Sequence, residues 1–465
     1  MKFTKNLTEG NTYKAFLGFA FPLLLSYLLS QVYSTVDAVI AGKFISQYAL
    51  GAVSATGSYE NVFHSLFNGF AAGFGIYIAQ QFGKGDHAAV KRDIVSNGIF
   101  VVAVSFLISI LSVTFRDPIM DYLKVDPILR ADAERYFMIF TMGYMLTYVN
   151  MLLVQALYAL GCTSFSLYVS FIAAIFKIGG NLLSTLVLKL GVGGLAFFTV
   201  LSSGVSTVCY LLLLRRVFKE LPTEKQAYRF RFSGVKGSLR YAIPAAVQQM
   251  AFHGVGLLIA PSVNALGADA TTAFNISNRL YNIATVSLWA VTNAFTSYTS
   301  QCVGKGDHRK LPRGVRIGFL LNCLMLLPFV LIPCIFAKPI TTIFFPSGVL
   351  GDAYNYAVRY ASFYLPFVYV QLIGHMYHAY MRSLGSVTTV LGITLFCSAI
   401  RVAATILLVP TLHLEGAFWG QIISWAVDAV VSFVIVFFFF RTPEQLKAIV
   451  EKVRNHSAQK QKSEV

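Results

Sequence analysis

Apolar runs of membrane-spanning length alternate with short polar segments along nearly the whole chain. A helix needs roughly 20 mostly apolar residues to cross a bilayer. Twelve runs approach that length, beginning near residues 15, 52, 94, 136, 165, 193, 238, 273, 315, 357, 386 and 417. The first follows MKFTKNLTEGNTYKAF with no A-x-A-like cleavage site, so it is expected to be a span and not a cleaved signal peptide. Six runs precede the polar, basic segment from Arg215 to Arg240 and six follow it. The pattern predicts an all-α polytopic membrane protein: an N-lobe of spans 1–6 over 1–217, a cytoplasmic linker over 218–237, a C-lobe of spans 7–12 over 238–440, and a cytoplasmic tail over 441–465.

The two sets of runs repeat one another. Gly83-Lys84-Gly85-Asp86-His87 returns as Gly304-Lys305-Gly306-Asp307-His308, with Gln80 and Arg92 matched by Gln301 and Arg313. Ala20 and Pro22 pair with Ala242 and Pro244, Leu160-Gly161 with Leu384-Gly385, Lys177 with Arg401, and Gly194 with Gly416. A unit of about 220 residues is thus used twice. An even number of spans per unit makes the repeat parallel, its axis along the membrane normal and its natural binding site between the copies. The GKGDH loop lacks the G-x-x-x-x-G-K-[ST] spacing that cradles phosphates, and its residues are those of turns. Small residues in Asn68-Gly69-Phe70-Ala71-Ala72-Gly73-Phe74-Gly75 read as close helix packing.

Composition agrees with a bilayer environment: 56% of the 465 residues are hydrophobic and 12% charged, against about 25% charged in soluble domains. A net charge of +17 raises the possibility of nucleic acid, but the placement of the basic residues answers it. With the N-terminus inside, 26 of the 37 lysines and arginines fall in inner segments, 8 in outer ones, and three, Lys177, Arg279 and Arg401, within spans. The positive-inside rule then puts both termini and both GKGDH loops in the cytoplasm, and no nucleic-acid partner is needed. The six cysteines are scattered without CxxC or Cys/His spacing, which argues against a disulfide framework or zinc site.

Polar residues inside the spans are the functional candidates, because burying them costs several kcal/mol. Asp37 is the clearest, with Ser34, Tyr33, Ser30 and Ser26 at helical spacing on its face and Pro22 near the stripe. It either lines a water-filled cavity as a cation-coupling residue or pairs statically with Lys177. Its repeat equivalent falls near Leu258 or Ile259, so coupling belongs to the first half. The second half offers Gln371, His375 and His378 in the tenth span and Asn275, Asn278 and Asn282 beside Arg279 in the eighth. These are candidates for a substrate cleft together with Tyr33 and Ser34. Two histidines without a third ligand are weak evidence for metal, and interhelical hydrogen bonding is the preferred reading. Asp428, in the last span, is a second acid opposite Ser206 in the repeat. Forty phenylalanines and 24 tyrosines suit a pocket for planar cations, although most serve lipid and core faces.

The chain resembles the multidrug and toxic compound extrusion (MATE) family over nearly its whole length. The resemblance rests on Pro22, Val36-Asp37-Ala38 and Gly42, Ala49-Leu50-Gly51-Ala52-Val53, Ile78-Ala79-Gln80, Asn275-Ile276 with Arg279, Asn181, and Gly191-Val192-Gly193-Gly194-Leu195-Ala196 followed by Thr199. It implies two six-helix bundles with a V-shaped central cleft. The implied activity is export of organic, cationic amphipathic compounds in exchange for protons or sodium. By position, Asp37, Asn181 and Thr199 correspond to an N-lobe cation site, where sodium is the only metal to consider. Thr185 stands where an acid is often found, and Gln371 stands where one branch has an aspartate. Both departures weaken a sodium site and leave Asp37 as the titrating group. The family needs no cofactor, and a monomer in the plasma membrane is expected, with the bilayer and a small amphipathic substrate as its partners. The runner-up is a lipid-linked oligosaccharide flippase of the same superfamily, for which Lys177, Arg279 and Arg401 would meet an anionic pyrophosphate. An enzyme would need a nucleophile/base or metal constellation, and a channel would need charged rings or a filter sequence; neither is seen.

Overall fold

The computed structural model describes residues 6–40, 45, 49–123, 125–221, 230–345, 351–442, 444–449 and 451; side chains at 34, 37–39, 49–51, 54, 55 and 58 are outside the description. The described residues contain helices and turns and no strand. The first half runs α1 (Thr12–Ile40), α2 (Ala49–Lys84), α3 (His87–Thr114), the short α4 (Arg116–Tyr122), α5 (Pro127–Met142), α6 (Tyr144–Ala159), α7 (Ser164–Leu182) and α8 (Gly191–Glu220). The second runs α9 (Phe232–Asn264), α10 (Ala268–Lys305), α11 (Leu311–Ile335), the short α12 (Ala337–Thr342), α13 (Asp352–Arg359), α14 (Val368–Ser383), α15 (Val387–Leu412) and α16 (Leu414–Phe439).

Every expected run lies on one of these helices or on a closely spaced pair, but not all pass as uniform spans. Among the described residues nine helices are long and apolar enough to cross a bilayer, or ten if α5 and α6, bent by 48°, count as one. The bend falls at Gly143, where a Cβ would strike the side chain of Val200 on α8, so a glycine both permits the kink and seats it. The other two runs are the polar ones. Helix α10 is long enough but carries Asn275, Asn278, Arg279 and Asn282, while α13 and α14 are separated by a π-helical turn at Tyr360–Tyr364 and a 3-10 turn at Leu365–Phe367.

The repeated glycine marks turn out to be helix stops. Gly85, Gly306, Gly161 and Gly385 have φ of +78°, +82°, +81° and +88°, a region that costs any other residue about 1–2 kcal/mol. Each ends a helix in the same way: the glycine N–H reaches the carbonyl three residues back, and the next N–H reaches five back, as in Gly85 to Phe82 (3.0 Å) with Asp86 to Gln81 (3.2 Å). The Asp86 carboxylate then accepts from the Ala89 N–H at 2.9 Å and caps α3. The GKGDH repeat is therefore a device for reversing the chain, in accord with its turn reading.

The chain divides into two compact units. One contains Met1–Asn6 and Phe21–Ala246; the other contains Leu7–Ala20 and Val247–Val465. In the first, the opening turns of α9 lie along α2. Cβ atoms on Gly69 and Gly73 would run into the backbone at Ala245–Ala246 and Tyr241–Ala242, so only glycine allows this approach. Polar contacts fix the register: Tyr241 Oη donates to Gln80 Oε1 at 3.0 Å and Ser238 Oγ to Asn97 Oδ1 at 2.5 Å. Around them Phe67, Phe74, Tyr144, Tyr148, Leu152 and Leu157 form the main apolar core. In the second unit the start of α1 lies along α10: the Leu7 N–H donates to Gln301 Oε1 at 2.9 Å, and Phe16 packs on Phe295 and Tyr298 with ring centroids 6.4 and 5.0 Å apart. Gln80 and Gln301, partners in the repeat, thus each receive the beginning of a first helix.

Candidate functional site

In the first unit the polar candidates gather where α1, α7 and α8 meet. The side chains of Asp37 and Ser34 lie outside the described residues, but the backbone around position 37 is placed: Val36 and Ile40 pack with Leu195 on α8. Tyr33, one turn earlier, has the Lys177 Nζ 4.8 Å above its ring. Asn181 is buried at the end of α7, and the chain there widens into a π-helical turn at Leu183–Val187 holding the buried Ser184 and Thr185. Such turns recur at functional positions. Ser184 Oγ donates to the Asn181 carbonyl at 3.0 Å. Gly180 sits so close to Phe198 that a Cβ would enter the ring, and a Cβ on Gly194 would come within 2.8 Å of the Ser184 side chain. Asn181 and the half-buried Thr199 consequently occupy adjoining turns of α7 and α8. Sequence reading missed Glu60 on α2, which accepts from Thr56 Oγ1 at 3.0 Å; a lone acid in an apolar run was the signal.

In the second unit, Gln371, His375 and His378 are brought together on the buried face of α14. Gln371 Nε2 donates to Tyr281 Oη at 2.6 Å and lies 3.2 Å from His375 Nε2. The His375 ring meets Trp289 edge-on at 4.9 Å. His378 Nε2 is 2.8 Å from Asp428 Oδ1 on α16, and Ser432 Oγ donates to the same oxygen at 3.2 Å. Gly374 makes room for this pair, because a Cβ there would collide with Asp428 Oδ2. Of these side chains Trp289, His375, His378 and Asp428 line a cavity of about 50 Å³ inside the unit, which Arg382, Arg401, Gln248 and Trp425 also line, while Gln371 lies behind His375 and outside the lining. Of the repeat partners, Arg401 lines this cavity, while the half-buried Lys177 lies over the Tyr33 ring. Asn275, Arg279 and Asn282 are exposed on α10 and Asn278 is half-buried, none of them lining this cavity. Among the described residues no group of three His, Cys, Asp or Glu side chains could hold a metal; His375 lies within hydrogen-bond distance of Gln371 and His378 of Asp428.

Buried amides, hydroxyls, carboxylates and imidazoles inside two repeated helical units suit a solute pathway across a membrane, and comparison with known proteins agrees. The family model MatE matches twice, over residues 22–183 and 244–407, once per repeat. The probable multidrug resistance protein YpnP of Bacillus subtilis is 22% identical over 421 residues, 90% of this chain and 91% of that protein. The multidrug export protein MepA of Staphylococcus aureus is 19% identical over 436 residues, 91% of this chain and 93% of its own length. Among solved structures, an outward-facing multidrug resistance MATE family transporter of the MOP superfamily superposes with a TM-score of 0.88 at 18% identity, covering 97% of this chain and 100% of that one. A MOP superfamily transporter from Pyrococcus furiosus, described as having a binding pocket of reverse polarity, gives the same TM-score and identity over 97% of this chain and 99% of its own. With both repeats accounted for by one family of membrane transporters, the chain belongs to the multidrug and toxic compound extrusion family.

Proposed function

We propose that this protein is a secondary active exporter of organic, cationic amphipathic compounds, driven by inward movement of protons or sodium through alternating access. The observation that carries the reading is the similarity to proteins named for multidrug resistance and export across about nine-tenths of the chain. Asp37 is the coupling residue in this reading, exchanging its charge for a bound proton, with Asn181 and Thr199 as neutral dipoles beside it. Thr185 in place of an acid favours protons over sodium. The exporter is a monomer in the plasma membrane with both termini cytoplasmic, as the distribution of 26 inner against 8 outer basic residues supports.

The test is transport in proteoliposomes with sodium and proton gradients imposed separately and a fluorescent cationic dye as substrate. Uphill dye movement driven by the proton gradient alone is expected. Movement driven only by sodium would transfer the coupling role to that ion, and no dye movement under either gradient would refute the exporter. In cells, loss of a surface glycan on deletion, with no change in dye retention, would favour the flippase.

A further inference from the structure

The charge balance of the cavity in the second unit is unusual for a pathway that takes cations. Two guanidiniums, from Arg382 on α14 and Arg401 on α15, line it against a single carboxylate, Asp428. That carboxylate is already engaged by His378 and Ser432. Among the described residues neither arginine forms an ion pair, and the buried Nε of each has no hydrogen-bond partner. Arg382 reaches only Gln248 Oε1, at a long 3.4 Å. Both residues are half-buried with the Nε fully enclosed, and an enclosed charged nitrogen without a counter-charge or acceptor is costly. An ionisable residue inside a membrane bundle is by default a candidate ligand site, and the charge and planar fork of a guanidinium suit a carboxylate or another small anion.

We propose that this cavity is an anion site, taking a chloride-sized ion or the carboxylate head of an organic acid between Arg401 and Arg382. The cavity of about 50 Å³ has room for such a group. The two arginines and the one aspartate together leave a single positive charge, which one monovalent anion neutralises. Gln248 Nε2 donates to Thr394 Oγ1 at 3.1 Å, which leaves the amide oxygen turned toward Arg382 and one amide N–H free to donate. The site is distinct from the Asp37 region and does not depend on what is exported.

The protein carries its own reporter. Of its three tryptophans, Trp289 and Trp425 line the cavity, and Trp419→Phe removes the third. The full-length protein is placed in nanodiscs of uncharged lipid with a bulky sulfonate buffer that carries no carboxylate, MOPS, as the only anion. Titration with sodium chloride or sodium formate is expected to change tryptophan fluorescence saturably, and to raise the melting temperature in step. Arg401→Gln is expected to weaken half-saturation by about tenfold or more, Arg401→Lys to recover part of it, and the exposed Arg313→Gln to leave it unchanged. If Arg401→Gln does not elute as a monodisperse species, Arg382→Gln takes its place with the same expectation. Saturation by formate and benzoate but not chloride identifies the carboxylate of an organic acid as the ligand; saturation by chloride identifies the free ion. A response to neither, or one equally strong in the charge-neutral variants, overturns the proposal and leaves a water-filled cavity.

Discussion

Asp37→Asn is expected to reduce uphill dye export to the background of empty liposomes while leaving the amount of inserted protein unchanged. Asparagine keeps the size and much of the hydrogen bonding but cannot bind and release a proton, so the variant separates titration from packing. The surroundings explain why so small a change should have so large an effect. Val36 and Ile40 fix the helix against Leu195, and Tyr33 one turn away is covered by Lys177. The expected companion result is loss of pH dependence in whatever downhill exchange survives. Retention of pumping with the wild-type pH profile would remove Asp37 from the coupling role. Glu60, a half-buried acid on α2 of the first unit, would then be the next residue to neutralise.

Gly73→Leu should prevent the first unit from assembling, with loss of monodisperse protein after extraction and little or none at the cell surface. The reason is that the obstacle is backbone. A Cβ at position 73 would enter the main chain of Tyr241 and Ala242, and one at 69 that of Ala245 and Ala246. A side chain in the way can rotate; two packed helices must separate. Overpacking commonly costs about 1–3 kcal/mol where side chains can yield, and here it would also break the Tyr241–Gln80 and Ser238–Asn97 hydrogen bonds. Gly98→Ala on α3, where nothing lies within 4 Å of the added methyl, should be silent. Equal behaviour of the two variants would show that the close approach of α2 and α9 does not hold the unit together.

How much could be read from the chain alone depended on whether the signal was local. Apolar runs and glycine turns are local, so the helices, the repeat and the function of GKGDH as a turn were visible. The small-residue stripe at 68–75 announced close packing, though not that α9 was the partner. Side-chain periodicity names a face without saying what it meets. Gln371, His375 and His378 on α14 do face a polar interior, whereas Asn275, Arg279 and Asn282 on α10, with the same spacing, are exposed. The cavity residues Gln248, Trp289, Arg382 and Asp428 come from four helices spread over 181 positions, a combination only the tertiary structure assembles. Arg382 was passed over for a further reason: near a helix end it counts as an ordinary positive-inside residue. Twelve uniform spans do not follow from hydropathy, because α10 carries Asn275, Asn278, Arg279 and Asn282 and the α13–α14 run is interrupted by π-helical and 3-10 turns.

The way each compact unit takes the start of a first helix from the other half of the sequence has a consequence for dividing the gene. A cut within 222–229, the obvious place between repeats, does not yield two self-sufficient pieces. The upstream fragment would lack residues 232–246 and leave the glycine face of α2 and the Gln80 amide bare, and the downstream fragment would lack Leu7–Ala20 against Gln301 and Phe295. Produced separately, both should be short-lived in the membrane; produced together, each supplies the missing strip of the other, so complementation from two plasmids should restore export that neither supports alone.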